Sequence, residues 1–133
     1  MDEELLTAAL EAQQNAYAPY SGFAVGAALL TADGQIITGC NVENASYPLA
    51  CCAERNAVYR AVAQGHRQFV RILVVGPGPA LISPCGGCRQ VLAEFGDLDV
   101  VMAERTGTQE PKVVPLHDLL PMAFDRKDLS HGV

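Results

Sequence analysis

Two short cysteine motifs constrain this chain more than any other feature. Cys52-Ala53-Glu54 and Pro84-Cys85-Gly86-Gly87-Cys88 each follow a stretch without periodicity and precede one with helical apolar spacing, so each reads as a helix start behind a loop. Cys85 and Cys88, at i and i+3, fall on one helix face and can reach one ion. If both helix N-termini point at a common centre, they supply three thiolates and leave a gap. Helix N-termini also favour thiolate over thiol, because their unsatisfied N–H groups stabilise negative charge.

The rest of the chain is read around those two starts. Asp2 to Tyr17 is expected as a first helix, capped by Asp2 and carrying Glu3 and Glu4 at its positive end. Phe23 to Thr31 and Gln35 to Cys40 form a hairpin across Ala32-Asp33-Gly34, which carries Asp-Gly turn chemistry. Asn41 to Leu49 has no period and is expected as a loop. Helices are expected over Cys52–Ala63 and Cys85–Phe95, strands over Val70–Val75 and Asp99–Ala103, then a short strand at Lys112–Val114 and a short helix at Leu116–Leu120. Strands alternating with helices after an antiparallel opening predict an α/β fold, a mixed sheet with helices on both faces.

Composition narrows the function classes. The 133 residues suit one domain spanning 1–133. A net charge of -6 with no basic run argues against nucleic acid, whose phosphates require a Lys/Arg footprint. The longest apolar run, Phe23 to Leu30, falls well short of the ~18 residues that suggest a membrane span. Met1-Asp2-Glu3-Glu4 is acidic where a secretory signal is basic, so a cytoplasmic protein is expected. Five cysteines, two of them adjacent, make a poor disulfide framework and a better metal or chemical set.

Zinc fits the thiolates best. A catalytic zinc takes three protein ligands and leaves one position for water, whereas a structural zinc needs a fourth ligand. Cys40, Cys51, His66, His117 and His131 are available for that place, but none has paired spacing. Zinc lowers the pKa of bound water toward ~7. A nearby carboxylate that is not a ligand can take that proton, protonate a ring nitrogen and help an amine leave. A ligand-x-Glu followed by Pro-Cys-x-x-Cys is the pattern of zinc deaminases of nucleobases. Glu54 holds the carboxylate position, two residues beyond Cys52. Cys51 leaves the first ligand ambiguous, and Cys52 is taken because of that two-residue offset. Three thiolates give the site a net charge of about -1; Arg55, donating to them, would withdraw charge and restore Lewis acidity.

With these residues in view, the chain resembles the small homotetrameric cytidine deaminases along nearly its whole length. Tyr20-Ser21-Gly22-Phe23-Ala24-Val25-Gly26-Ala27-Ala28-Leu29 is similar to that family's first strand, and Gly39-Cys40-Asn41-Val42-Glu43-Asn44-Ala45-Ser46-Tyr47-Pro48 to its ribose-binding segment. Pro84-Cys85-Gly86-Gly87-Cys88-Arg89-Gln90 is its second zinc motif. The resemblance implies a three-layer α/β/α fold on a mixed five-stranded sheet and one Zn2+ per chain. It further implies a homotetramer that converts free cytidine and 2′-deoxycytidine to uridine and 2′-deoxyuridine, releasing ammonia, in pyrimidine salvage.

The same resemblance assigns substrate contacts. Asn41 and Glu43 would bond the sugar hydroxyls, Phe23 would pack on the base, and the Ala53 backbone N–H would bind the base carbonyl. Tyr47 and Phe124 would reach a neighbouring subunit's site. Simple packing for Phe23 and turn chemistry for Asn41 and Glu43 are the plainer readings. Two departures stand out: Cys51 replaces the family's usual Thr, and Phe124-Asp125-Arg126-Lys127-Asp128-Leu129 lacks the family's proline. A deaminase of an aminopyrimidine antibiotic such as blasticidin S shares both zinc motifs, but Asn41-Val42-Glu43-Asn44 favours a nucleoside. A zinc-stabilised assembly protein without turnover is the rival from another class.

Overall fold

In the chain the hairpin forms where the Asp-Gly signal places it. β1 (Gly26–Thr31) pairs antiparallel with β2 (Ile36–Cys40), Leu30 facing Ile36, and Gly34 turns the corner at φ +91°. The computed structural model describes residues 2–131, with side chains through residue 129. The remaining elements are α1 (Asp2–Gln13), a 3-10 turn at Tyr47–Leu49, α2 (Ala53–Ala63), β3 (Phe69–Val75), α3 (Gly86–Ala93), β4 (Asp99–Ala103), β5 (Lys112–Pro115), α4 (Leu116–Leu119) and α5 (Arg126–His131). Among the described residues no helix is long and apolar enough to cross a membrane.

The five strands lie in the order β2-β1-β3-β4-β5. Only β3 and β4 pair in parallel; the other neighbours are antiparallel. Because β2 and β3 are each antiparallel to β1, they run parallel to one another. The segments β2-α2-β3 and β3-α3-β4 are therefore two crossovers stepping the same way across the sheet. Crossovers share one hand, so α2 and α3 fall on the same face, and both starts lie at the same end of the sheet.

Side-chain alternation divides the core into two layers. Ala27, Leu29, Ile72, Val74, Val100 and Met102 face α2 and α3. Ala28, Leu30, Leu73, Val75, Val101 and Ala103 face Leu5 and Ala9 of α1. The mixed sheet with helices on both faces is thus a three-layer α/β/α arrangement, as expected. Arg71 on β3 seats α1 through paired bonds to Asp2 at 2.7 and 2.8 Å and reaches Asp99 at 3.1 Å. Two glycines set the layer spacing. A Cβ on Gly26 would lie 2.0 Å from the Ala9 carbonyl oxygen, and one on Gly39 2.4 Å from that of Ala53. Both meet backbone, which cannot rotate aside.

Several expected boundaries move, each for a non-local reason. α1 stops at Gln13 rather than Tyr17. The Gln13 amide donates to the Ala24 carbonyl at 3.0 Å, and Tyr17 leaves the helix to bridge Val42. β1 starts at Gly26 rather than Phe23. The Asn41 amide serves the backbone there, accepting from Val25 N–H at 2.9 Å and donating to the Phe23 carbonyl at 2.8 Å. α3 is shorter than expected and is followed by Gly96 at φ +103°. The turn at Tyr47–Leu49 and helix α5 are additions to the sequence-based expectation.

Candidate active site

Cys52 is the N-cap of α2 and Cys85 the N-cap of α3, with Cys88 in the first turn of α3. Neither N-cap side chain bonds its helix, although a Ser, Asp or Asn there would satisfy one orphan N–H. Helix stability is set aside at both starts, and the two positive helix ends face sulfur instead.

The three sulfurs meet. Cys52 Sγ lies 3.6 Å from Cys85 Sγ, and Cys85 Sγ lies 3.5 Å from Cys88 Sγ. All three fall within 4.8 Å of one another. Thiolates placed tetrahedrally around zinc, with Zn–S near 2.3 Å, sit about 3.8 Å apart. The donor set and its spacing therefore fit zinc. Among the described residues no other Cys, His, Asp or Glu joins the group, which leaves a fourth coordination position open to water. The Cys51 sulfur lies outside that group, and its backbone pairs with Val42 through bonds of 3.0 and 2.9 Å. His66 lies past the far end of α2, facing Asp33, and His117 is paired with Asp97. The His131 side chain, the remaining histidine, lies outside the described residues.

Charge around the sulfurs is uneven. Donation from Cys88, joined by Arg55 and Cys85 and opposed by partial burial, pulls the Cys52 thiol down to about 5. Cys88, the donor, is pushed up. Without a cation the cluster keeps protons it would shed on binding one. Arg55 Nη2 donates to Cys52 Sγ at 3.4 Å, and that bond raises its already high pKa. Its Nε is buried without a hydrogen-bond partner. Hydrogen bonding to sulfur, above all to Cys52, with the charge on the sulfurs adding to it, holds the guanidinium here. Arg55 thus lies against one sulfur of the cluster.

Glu54 is 4% exposed. Burial, reinforced by the Cys52 sulfur and opposed by its own backbone N–H and by Arg55, pushes its carboxyl up to about 7. A dication on the neighbouring thiolates would pull it back down. Ala53 is fully buried in the first helical position of α2.

Phe23, Asn41 and Glu43 lie at the end of the sheet where β1 begins and β2 ends, the end from which α2 starts. Val42 is held between Tyr17 and Cys51, so Asn41 and Glu43 flank a residue paired to the neighbour of the first ligand. Glu43 accepts from Tyr20 N–H at 2.9 Å and Ser21 N–H at 3.1 Å, and from the Ser21 hydroxyl; that hydroxyl above all holds its carboxyl below the usual range. Asn41 and Glu43 thus do organise the chain around them, as turn chemistry predicts. Phe23 is 46% exposed rather than core. Tyr47, 70% exposed, packs edge-on against Tyr20 with centroids 5.8 Å apart. Phe124 is 60% exposed, its carbonyl bonded by Gln90 at 2.7 Å.

Asn56 escaped the sequence reading. Its amide donates to the carbonyls of Cys40 at 2.8 Å and Cys51 at 3.4 Å, tying β2 to the strand-like residue before the first ligand. A polar residue four positions after Cys52 was the available signal.

The chain is similar to known proteins in sequence and in fold. The chain matches the cytidine and deoxycytidylate deaminase zinc-binding region over residues 1–104. It is 46% identical to a cytidine deaminase of Sporosarcina psychrophila, covering 98% of this chain and 96% of that one. Against a cytidine deaminase of Halalkalibacterium halodurans identity is 44%, covering 98% and 99%. The crystal structure of cytidine deaminase from Burkholderia pseudomallei superposes with a TM-score of 0.88 at 50% identity, over 93% of this chain and 99% of that one. Three sulfurs at zinc spacing, a buried glutamate beside them and a sequence match across most of the chain converge: this chain belongs to the cytidine and deoxycytidylate deaminase zinc-binding family.

Proposed function

We propose that this protein is a single-domain, cytoplasmic, zinc-dependent cytidine deaminase that hydrolyses free cytidine and 2′-deoxycytidine in pyrimidine salvage. The observation that carries the reading is the open cluster of Cys52, Cys85 and Cys88 with the buried carboxyl of Glu54 beside it. The nearly full-length likeness to cytidine deaminases supports the choice of base and sugar.

Cys52, Cys85 and Cys88 would hold the zinc, which when bound would supply Lewis acidity toward a water molecule. Glu54 would take the first proton of the attacking water and pass it to the ring nitrogen as the oxygen bonds to the amine-bearing carbon. It would then take the second proton from that oxygen and pass it to the amine, which leaves as ammonia as the C–N bond breaks. A buried carboxyl beside the three cysteines that is not one of the ligand group can carry a proton in both directions. Arg55 offsets the negative charge of an all-thiolate site by donating to Cys52. Phe23 packs on the base, and the Ala53 N–H at the positive end of α2 binds its carbonyl. Asn41 keeps one amide N–H beyond its bond to Phe23, and Glu43 keeps lone pairs, so together they can donate to and accept from sugar hydroxyls. Tyr47 and Phe124, too exposed to serve their own core, reach neighbouring sites in a homotetramer.

The test is to incubate the zinc-loaded protein with cytidine, 2′-deoxycytidine and blasticidin S and follow ammonia. Both nucleosides should release it and the antibiotic should not. Ammonia from blasticidin S alone would move the assignment to the antibiotic; none from any would leave a zinc protein without this turnover.

A further inference from the structure

Arg89 follows Cys88 directly, and its guanidinium donates to three acceptors on two separate stretches of chain. Nε reaches the Pro84 carbonyl at 2.8 Å, Nη2 the Ser83 hydroxyl at 2.6 Å, and Nη1 the Leu119 carbonyl at 2.7 Å. Residues 81–85 belong to no helix or strand, so no ladder fixes the loop that delivers Cys85. Pro84 is fully buried, and a buried carbonyl without a partner is costly. The third bond caps the C-terminal end of α4, where carbonyls otherwise lack partners. Gln90, the next residue, holds the Phe124 carbonyl at 2.7 Å. Two adjacent side chains of α3 thus suspend both ends of the stretch 119–124. Between them Met122 is fully exposed at φ +56°, a conformation that non-glycine residues rarely adopt and that needs its surroundings to hold it.

We propose that Arg89 is a positioning residue. It sets Cys85 against Cys88 and joins the ligand loop to residues 119–124, so metal retention and the order of that stretch are coupled. The planar fork reaches acceptors in three directions at once, which the single ammonium of lysine does not. The proposal rests on the zinc-site reading above.

The experiment compares full-length Arg89→Lys, Arg89→Met and Gln90→Ala with the unaltered protein, each loaded with one equivalent of zinc. Zinc transfer to a coloured chelator and hydrogen exchange of residues 119–124 are followed, with circular dichroism and urea midpoints as folding controls. Groups that orient metal ligands typically carry 10–100-fold in affinity. Both Arg89 variants should release zinc at least about tenfold faster at similar urea midpoints, with faster exchange at 119–124. Removing zinc from the unaltered protein should raise exchange there too. Gln90→Ala, which frees only the Phe124 end, should raise exchange near residue 124 while the Leu119 bond to Arg89 stays in place. It should leave zinc release within about twofold, far below the effect expected of a ligand-orienting group. If Arg89→Met fails to fold, Arg89→Lys decides by the same criterion. Wild-type zinc release from a folded Arg89 variant would overturn the positioning role, and equal acceleration by Gln90→Ala would trace the effect to general loosening of α3. Exchange at 119–124 indifferent to zinc would overturn the coupling. An unaltered protein that takes up no zinc would overturn the zinc site itself, a distinct outcome.

Discussion

Glu54 holds a carboxyl where water is scarce, two residues from a metal ligand and beside a guanidinium. Replacing it with Gln keeps shape and hydrogen-bonding capacity but removes the proton carrier. Glu54→Gln should retain about one zinc per chain by metal analysis and lose turnover by roughly 10²–10⁴-fold, the range for a general acid–base group. Loss of zinc instead would make Glu54 a ligand. Arg55→Ala removes the donor at Cys52 Sγ and should lower kcat by about 10–100-fold with zinc retained, read from kinetics and metal content together. These residues were legible because their meaning is local: a two-residue offset and an i, i+3 pair. The partners of Asn41 and Glu43 were not, since they lie about twenty residues away along the chain and only folding pairs them.

Helix α2 presents its first turn to the metal because Gly39 lets it lie against β2. A methyl at position 39 would meet the Ala53 oxygen at 2.4 Å and the Ala57 nitrogen at 2.5 Å, so the helix must shift and carry Cys52 and Glu54 with it. Gly39→Ala should lower stability by about 1–3 kcal/mol in urea titration and reduce zinc content, whereas Gly78→Ala, which meets open space, should do neither. At the end of β4, the buried Glu104 carboxylate accepts from the Thr106 hydroxyl and from the backbone N–H groups of Thr106, Thr108 and Gln109. Led by the Thr106 hydroxyl, these bonds pull its pKa down to about 2. A depressed carboxyl stabilises the fold above its unfolded value of about 4.3 and loses that contribution as the pH falls through the folded value. Glu104→Gln should therefore lower the urea midpoint near neutrality, with the gap to wild type narrowing as the pH drops below about 4.

Among the described residues, half of the twelve exposed large apolar side chains gather near the site. Tyr17, Tyr20, Phe23, Val42, Tyr47 and Leu49 lie on two segments joined by the Tyr17–Val42 bridge and the Tyr20–Tyr47 contact. A clustered apolar surface beside a site is the expected ground for self-association. Light scattering should return four times the 14.1 kDa chain mass, and Tyr47→Glu should shift the population toward smaller species; a monomer at working concentration would contradict the tetramer. The sequence by itself determined the hairpin, the two helix starts and the chemistry of the three thiols, because turn residues, apolar period and side-chain identity act over a few positions. Tertiary structure alone decided that the two helix starts meet, through two crossovers stepping the same way. It also ended α1 and delayed β1 through the long-range bonds of Gln13 and Asn41, and it brought the sulfur of Cys52, the ligand that the offset to Glu54 had indicated, rather than that of Cys51 into the cluster.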